Sequence, residues 1–196
     1  MNDMSKGLKL TDILVTFVIA IVFGIVYQLW TPFYEFLGGL GLHIDQLSYG
    51  MWFIAATVAY LIIRKPGVAL LAELAAASGS LILGSPYGVE LLIYGFLQGL
   101  FAELVFFAVR YKRYDILVVS LAGAASAAAS LLFDWYKGYI GDLEAWNLAL
   151  MIGFRTISAI VICGVFAYFL VKALEATGVT NLVRPASKED YDALDK

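Results

Sequence analysis

The sequence predicts an all-α integral membrane fold: one bundle of six transmembrane helices with both termini in the cytoplasm. Three observations predict it. Of 196 residues, 62% are hydrophobic and 15% charged, whereas a soluble domain carries roughly 45–50% apolar and about 25% charged residues. The apolar residues fall into runs near the ~20 residues that a spanning helix needs. The basic residues gather on alternate connections between those runs. A water-soluble fold of this composition would lack polar surface, so the excess apolar surface must face lipid.

The expected spans are 11–30, 46–63, 67–83, 89–110, 116–136 and 148–174, within one membrane domain covering 1–196. Lys6 and Lys9 precede the first run. The run from Ile13 to Trp30 is longer than the 7–15 residues typical of a signal-peptide core, and no small-x-small site follows it. It is read as a helix that stays in the membrane. The second and third runs are short and meet at the tight turn Arg64-Lys65-Pro66-Gly67, where Pro66 and Gly67 break the helix. A re-entrant hairpin is the alternative for this pair, but each arm still reaches about 25 Å at 1.5 Å per residue. The sequence Gly84-Ser85-Pro86-Tyr87-Gly88 separates the third run from the fourth. The polar stretch 179–196 is expected to be a solvated cytoplasmic tail.

Orientation follows from charge. With the N-terminus inside, Lys6, Lys9, Arg64, Lys65, Arg110, Lys112, Arg113, Lys172, Arg184, Lys188 and Lys196 are all cytoplasmic, and Lys137 lies outside. The opposite topology reverses this bias, so the positive-inside rule places both termini inside. The outer connections then differ in kind from the inner ones. They are longer and rich in aromatic and acidic residues, as in Trp30–Tyr49 and Lys137–Asn147. Some of these aromatics are interface-belt residues. Acid-bearing loops of this length also suit a cover over a site.

Charges at bilayer depth are costly and mark function. Glu73, Glu90, Glu103, Asp134 and Arg155 fall there, with Gln98 as a neutral neighbour. Glu90, Tyr94 and Gln98 follow at four-residue steps and share one helix face. Gln98 is then about 12 Å below the outer surface, and Arg155 roughly 10 Å below the start of the sixth helix. Asp134 lies within a turn of the outer end of the fifth helix, beside Trp135 and Tyr136. These groups meet at one level in the outer half. An acid among aromatics in a low-dielectric cavity suits an organic cation, and a carboxylate or amide below it pairs with a heterocycle. Arg155 either holds an anionic group or neutralises Asp134 or Glu90. Glu73 and Glu103 lie roughly 10 Å from the cytoplasmic ends of their helices. A proton relay is one reading of them, a bond to a neighbouring hydroxyl another.

Small residues make a second pattern. Thr16, Ala20 and Gly24 repeat every four residues on the first helix, and Gly95 and Gly99 form a GxxxG on the fourth. The fifth is rich in alanine between 122 and 130. Small residues let helices approach closely in lipid. Internal packing accounts for the fourth and fifth helices, whereas the stripe on the terminal first helix is expected to dock another membrane subunit.

Other classes are set aside. No GxxxxGK[ST] is present for nucleotide binding. His43 is the single histidine, so no HExxH or histidine-rich metal site exists, and no GxSxG elbow accompanies it. Cys163 is the single cysteine, read as a small buried hydrophobe. No basic stripe with interleaved aromatics suggests nucleic acid. The chain is expected to be no enzyme, with no catalytic residue, no metal and no cofactor of its own.

Length, helix number, the stripe Ala20-x-x-x-Gly24 and the stretches Gly84-Ser85-Pro86-Tyr87-Gly88-Val89-Glu90 and Tyr94-Gly95-Phe96-Leu97-Gln98-Gly99 resemble the S component of energy-coupling factor (ECF) transporters. The chain is most similar to the YkoE-like group, associated with thiamine or its hydroxymethylpyrimidine precursor. The resemblance covers nearly the whole chain. It implies capture of a vitamin without catalysis, in the plasma membrane of a prokaryote. It also implies association with a transmembrane T component and two ATPase subunits that use ATP. Thr16, Ala20 and Gly24 would then contact the T component. Tyr87, Glu90, Tyr94, Gln98, Asp134, Trp135, Trp146, Asn147 and Arg155 would bind the vitamin under the first outer loop. A stand-alone proton-coupled transporter of a small organic solute is the competing reading, motivated by Glu73, Glu103 and Arg155. The halves show no inverted repeat, which counts against it.

Overall fold

The computed structural model describes residues 7–182, and every regular element among them is helical. Lys6 and the tail from 183 onward lie outside the described residues, with Arg184, Lys188 and Lys196; the start of the expected tail, Val179–Leu182, is a short 3-10 turn. Among the described residues five helices are long and apolar enough to cross a membrane, and Val68–Ile82 is a shorter apolar helix. Large apolar side chains such as Leu14, Phe17, Val18 and Ile21 stand exposed on the outside, as a lipid-facing surface requires.

Helix α1, Leu10–Gly38, has 29 residues and extends about 43 Å at 1.5 Å per residue. It overruns its expected end at Trp30 by two turns, and Pro32 does not stop it. Contacts beyond the helix hold the extra turns. The Trp30 indole donates to the Ser48 carbonyl at 3.2 Å, and Tyr34 packs edge-on against Tyr49 and Trp52. The long expected outer loop therefore shrinks to a short turn through Gly41, Leu42 and His43, all at positive φ.

The second span opens as a 3-10 helix, Ile44–Phe53, and continues as helix α2, Ile54–Ile63. The 3-10 rise of about 2.0 Å per residue lengthens this 20-residue span to about 35 Å, where a wholly α-helical one would reach about 30 Å. Every residue of α2 is buried, as befits a helix that is apolar all round and central to the bundle. Helix α3, Val68–Ile82, packs between α1 and helix α4, Glu90–Ala108. Helix α5 runs Ile116–Tyr136, the expected span. The last span combines helix α6, Ala145–Ser158, a π-helical segment Ala159–Phe166 and helix α7, Ala167–Ala176.

Glycines bring these helices close. A Cβ on Gly95 would sit 2.5 Å from that of Ala77, and one on Gly123 would sit 2.7 Å from the Ala159 carbonyl oxygen. The GxxxG and the alanine-rich fifth helix thus serve internal packing. The first-helix stripe also packs inward in the isolated chain. Thr16 and Ala20 are buried, and a Cβ on Gly24 would lie 3.1 Å from both the Ala76 carbonyl oxygen and the Gly79 Cα. Gly24 thereby meets α3 inside the bundle.

The two glutamates at depth also have structural partners. α2 begins inside the bundle, where its first N–H groups lack intrahelical acceptors. The Glu73 carboxylate accepts from Ala56 N at 3.1 Å and from the Tyr27 hydroxyl at 2.9 Å, while that hydroxyl accepts from Ala55 N at 3.1 Å. Glu103 does the same for α3. It accepts from Gly67 N at 2.6 Å, Ala69 N at 3.1 Å, Leu70 N at 3.4 Å and the Tyr111 hydroxyl at 2.8 Å. Each carboxylate caps a helix N-terminus from a neighbouring helix, where the macrodipole favours negative charge.

Candidate functional site

At one end of the bundle the extra turns of α1, the 3-10 segment, the first turns of α4 and α6 and the last turn of α5 surround a cavity of about 630 Å³. The end of α3 supplies one wall. Gly84 at φ 91° lets the chain turn out of α3, with Ser85 N bonding back to the Ser80 carbonyl at 3.1 Å. Pro86 and Tyr87 are thereby carried onto the cavity.

The wall is largely aromatic. Trp52 lies edge-on to Tyr27, Tyr34 and Tyr87, with ring centroids 5.7, 6.2 and 5.8 Å away. Such pairs are rigid and amphipathic. Burial pushes the Tyr87 phenol up to about 12, so it remains a neutral donor.

A buried polar network forms the inner wall. Arg155 is 2% exposed. Its guanidinium donates to Asp134 at 2.6 Å, Gln46 Oε1 at 2.7 Å and Ser130 Oγ at 3.0 Å, and stacks over Tyr49 with 3.8 Å to the ring centroid. The other Asp134 oxygen accepts from the Tyr94 hydroxyl. Of the readings open for Arg155, neutralisation of Asp134 is the observed one. The pair joins α5, α6 and the 3-10 segment, and its charges are satisfied within the protein.

One group in this wall is not satisfied. Gln98 is buried, and its Nε2 has no hydrogen-bond partner, although its backbone carbonyl accepts from the Ser126 hydroxyl at 2.8 Å. An unpaired buried donor is costly, and this one lines the cavity.

Glu90 sits two turns above Gln98 on α4, half-exposed at the mouth. It accepts from the Tyr139 hydroxyl at 2.9 Å and pairs with Lys137 at 2.6 Å. The bond to Glu90, more than its charge, holds the Lys137 ammonium above its ordinary value, and the separate hydrogen bond that Tyr139 donates to Glu90 raises the Tyr139 phenol.

Of the expected site residues, Tyr87, Glu90, Tyr94, Gln98, Asp134 and Arg155 line the cavity. Trp135, Trp146 and Asn147 do not. Asp134 faces inward on α5, so its neighbour Trp135 is turned about 100° away and is 69% exposed. Trp146 is 55% exposed and bonds Glu144 at 2.6 Å. Sequence reasoning missed Gln46, Tyr49 and Trp52, which fell at the join of the first outer connection and the apolar run after it, and His43, set aside as the single histidine. All four line the cavity. The 3-10 geometry of Ile44–Phe53 hides them, because a 3.6-residue period does not sort its inward positions. The concentration of aromatics over 49–53 was the available signal.

Among the described residues no group of acidic, histidine and cysteine side chains is arranged to hold a metal. Three likenesses bear on the family. The sequence profile of "ABC-type cobalt transport system, permease component" matches residues 11–129. A Bacillus subtilis protein named putative HMP/thiamine permease protein YkoE is 38% identical over 177 residues, covering 90% of this chain and 89% of its own. A crystal structure of an S component of an ECF transporter superposes with a TM-score of 0.86 at 38% identity, covering 89% of each chain. With the helical bundle and its large aromatic cavity, these matches make the chain a member of the S-component family of ECF transporters, in its YkoE-like group.

Proposed function

We propose that the protein captures thiamine or its hydroxymethylpyrimidine precursor in this cavity and delivers it to the cytosol together with a T component and two ATPase subunits that hydrolyse ATP. The observation that carries the substrate is the unpartnered Gln98 Nε2 in an aromatic-walled cavity of about 630 Å³. A buried amide donor awaiting an acceptor suits a ring nitrogen of an aminopyrimidine lying flat among Tyr and Trp faces. The name of the 38% identical relative, an HMP/thiamine permease, supports the same chemistry. Basic residues at the end opposite the cavity support a cytoplasmic position for that end in a prokaryotic plasma membrane, with the mouth outward.

The proton-coupled alternative leaned on Glu73, Glu103 and Arg155. Each of these is occupied by helix-capping or ion-pair partners, so none supports it.

The test is binding of thiamine and of hydroxymethylpyrimidine to the purified protein, wild type and Gln98→Leu. Saturable binding weakened about tenfold (about 1.4 kcal/mol) by the substitution, with an unchanged melting temperature, is expected. Absence of binding by both compounds would reject the substrate reading.

A further inference from the structure

The acid at the cavity mouth already holds a cation, and that cation belongs to the protein. Helix α5 ends in a double hydrogen-bonded turn. Gly138, at φ 77°, donates to the Trp135 carbonyl at 3.0 Å, and Tyr139 N donates to the Asp134 carbonyl at 2.9 Å. This ending satisfies the last carbonyls of the helix and sets Lys137 and Tyr139 together opposite Glu90 of α4. The Lys137 ammonium lies 2.6 Å from one Glu90 oxygen and 5.7 Å from the Tyr139 ring centroid. The Tyr139 hydroxyl donates to the other Glu90 oxygen at 2.9 Å. A carboxylate beside an aromatic face is what an organic cation seeks.

The positions are unequal. Glu90 and Tyr139 line the cavity, whereas Lys137 does not. The deeper carboxylate, Asp134, is committed to Arg155 and Tyr94. Glu90 is thus the cavity-lining carboxylate whose partner can leave, since the Lys137 side chain is 33% exposed and can pass into water. Arg155 at 2% exposure cannot.

We propose that Lys137 is a resident competitor for the ligand's positive charge, setting how strongly the site favours a cationic ligand over a neutral one with the same pyrimidine. The proposal rests on the preceding reading that the cavity takes an aminopyrimidine ligand. With the pyrimidine at Gln98, about 12 Å below Glu90 on the same helix face, the thiazolium of thiamine approaches Glu90 and displaces the ammonium. Hydroxymethylpyrimidine lacks the cation and leaves the Glu90–Lys137 pair intact.

The experiment compares affinities for thiamine and hydroxymethylpyrimidine in wild type, Lys137→Gln, Glu90→Gln and the double variant, with melting temperatures recorded for each. Lys137→Gln is expected to tighten thiamine binding about three- to fivefold, the modest scale of a half-exposed pair, and to leave hydroxymethylpyrimidine unchanged. In the Glu90→Gln background the Lys137 substitution should have no effect on either ligand. An equal change for both ligands, no change for thiamine, or an effect that survives Glu90→Gln would overturn the proposal while leaving the capture function standing. If the wild type binds neither compound, the substrate reading itself falls and takes the proposal with it.

Discussion

Two buried carboxylates at opposite ends of the bundle make a useful contrast. Glu103 receives three backbone N–H groups and a tyrosine hydroxyl. Its oxygens are engaged in starting α3, and it is not among the residues that line the large cavity. Asp134 is just as well paired, to Arg155 and Tyr94, but its network forms the wall of an open chamber and stands near the unpaired amide of Gln98. Charge at depth therefore has two uses here. At one end it repairs a helix terminus that lipid would leave unsatisfied. At the other it shapes a polar wall without exposing an unpaired charge, and leaves a neutral donor free. Depth and charge alone do not separate the two uses; the partner atoms do.

The sharpest way to break the contrast is Arg155→Met. Removing the guanidinium strands Asp134 and Gln46, and the expected loss is about 3–5 kcal/mol of stability, read as a fall in melting temperature in detergent. Arg155→Met combined with Asp134→Leu should recover much of it, because both charges then leave together. No recovery would mean that the pair is not the unit of stability.

Glu103→Gln tests the other end. Loss of charge at the α3 terminus should cost about 1–3 kcal/mol with ligand affinity unchanged. An accompanying loss of affinity would make Glu103 part of the transport site and erase the distinction.

The smallest expected effects concern tryptophan. Trp52 lines the cavity, whereas Trp135 and Trp146 stand outside it. Ligand-induced fluorescence change should disappear in Trp52→Phe and persist in Trp135→Phe and Trp146→Phe. The last two should leave melting temperature and affinity where they were. A signal that vanished with Trp135 would place the ligand elsewhere.

The sequence by itself determined the all-helical membrane character and the span 116–136 to the residue. It also placed Glu90, Tyr94 and Gln98 on one face, since composition and the helical repeat carry that information directly. Tertiary structure decided which way each helix turned. In a water-soluble helix the apolar stripe faces the core. In lipid both faces are apolar, so the Thr16–Ala20–Gly24 stripe read equally well as an outward docking face or as the inward contact with α3 that it makes. For the same reason Trp135 and Trp146 could not be told from cavity residues. Tertiary contacts also held α1 past Pro32 and stretched Ile44–Phe53 into a 3-10 helix, which brought Gln46, Tyr49 and Trp52 to the cavity. They chose Arg155 as the partner of Asp134 and Lys137 as that of Glu90, because ion pairing depends on where helices distant in sequence end beside one another, and no local repeat encodes that.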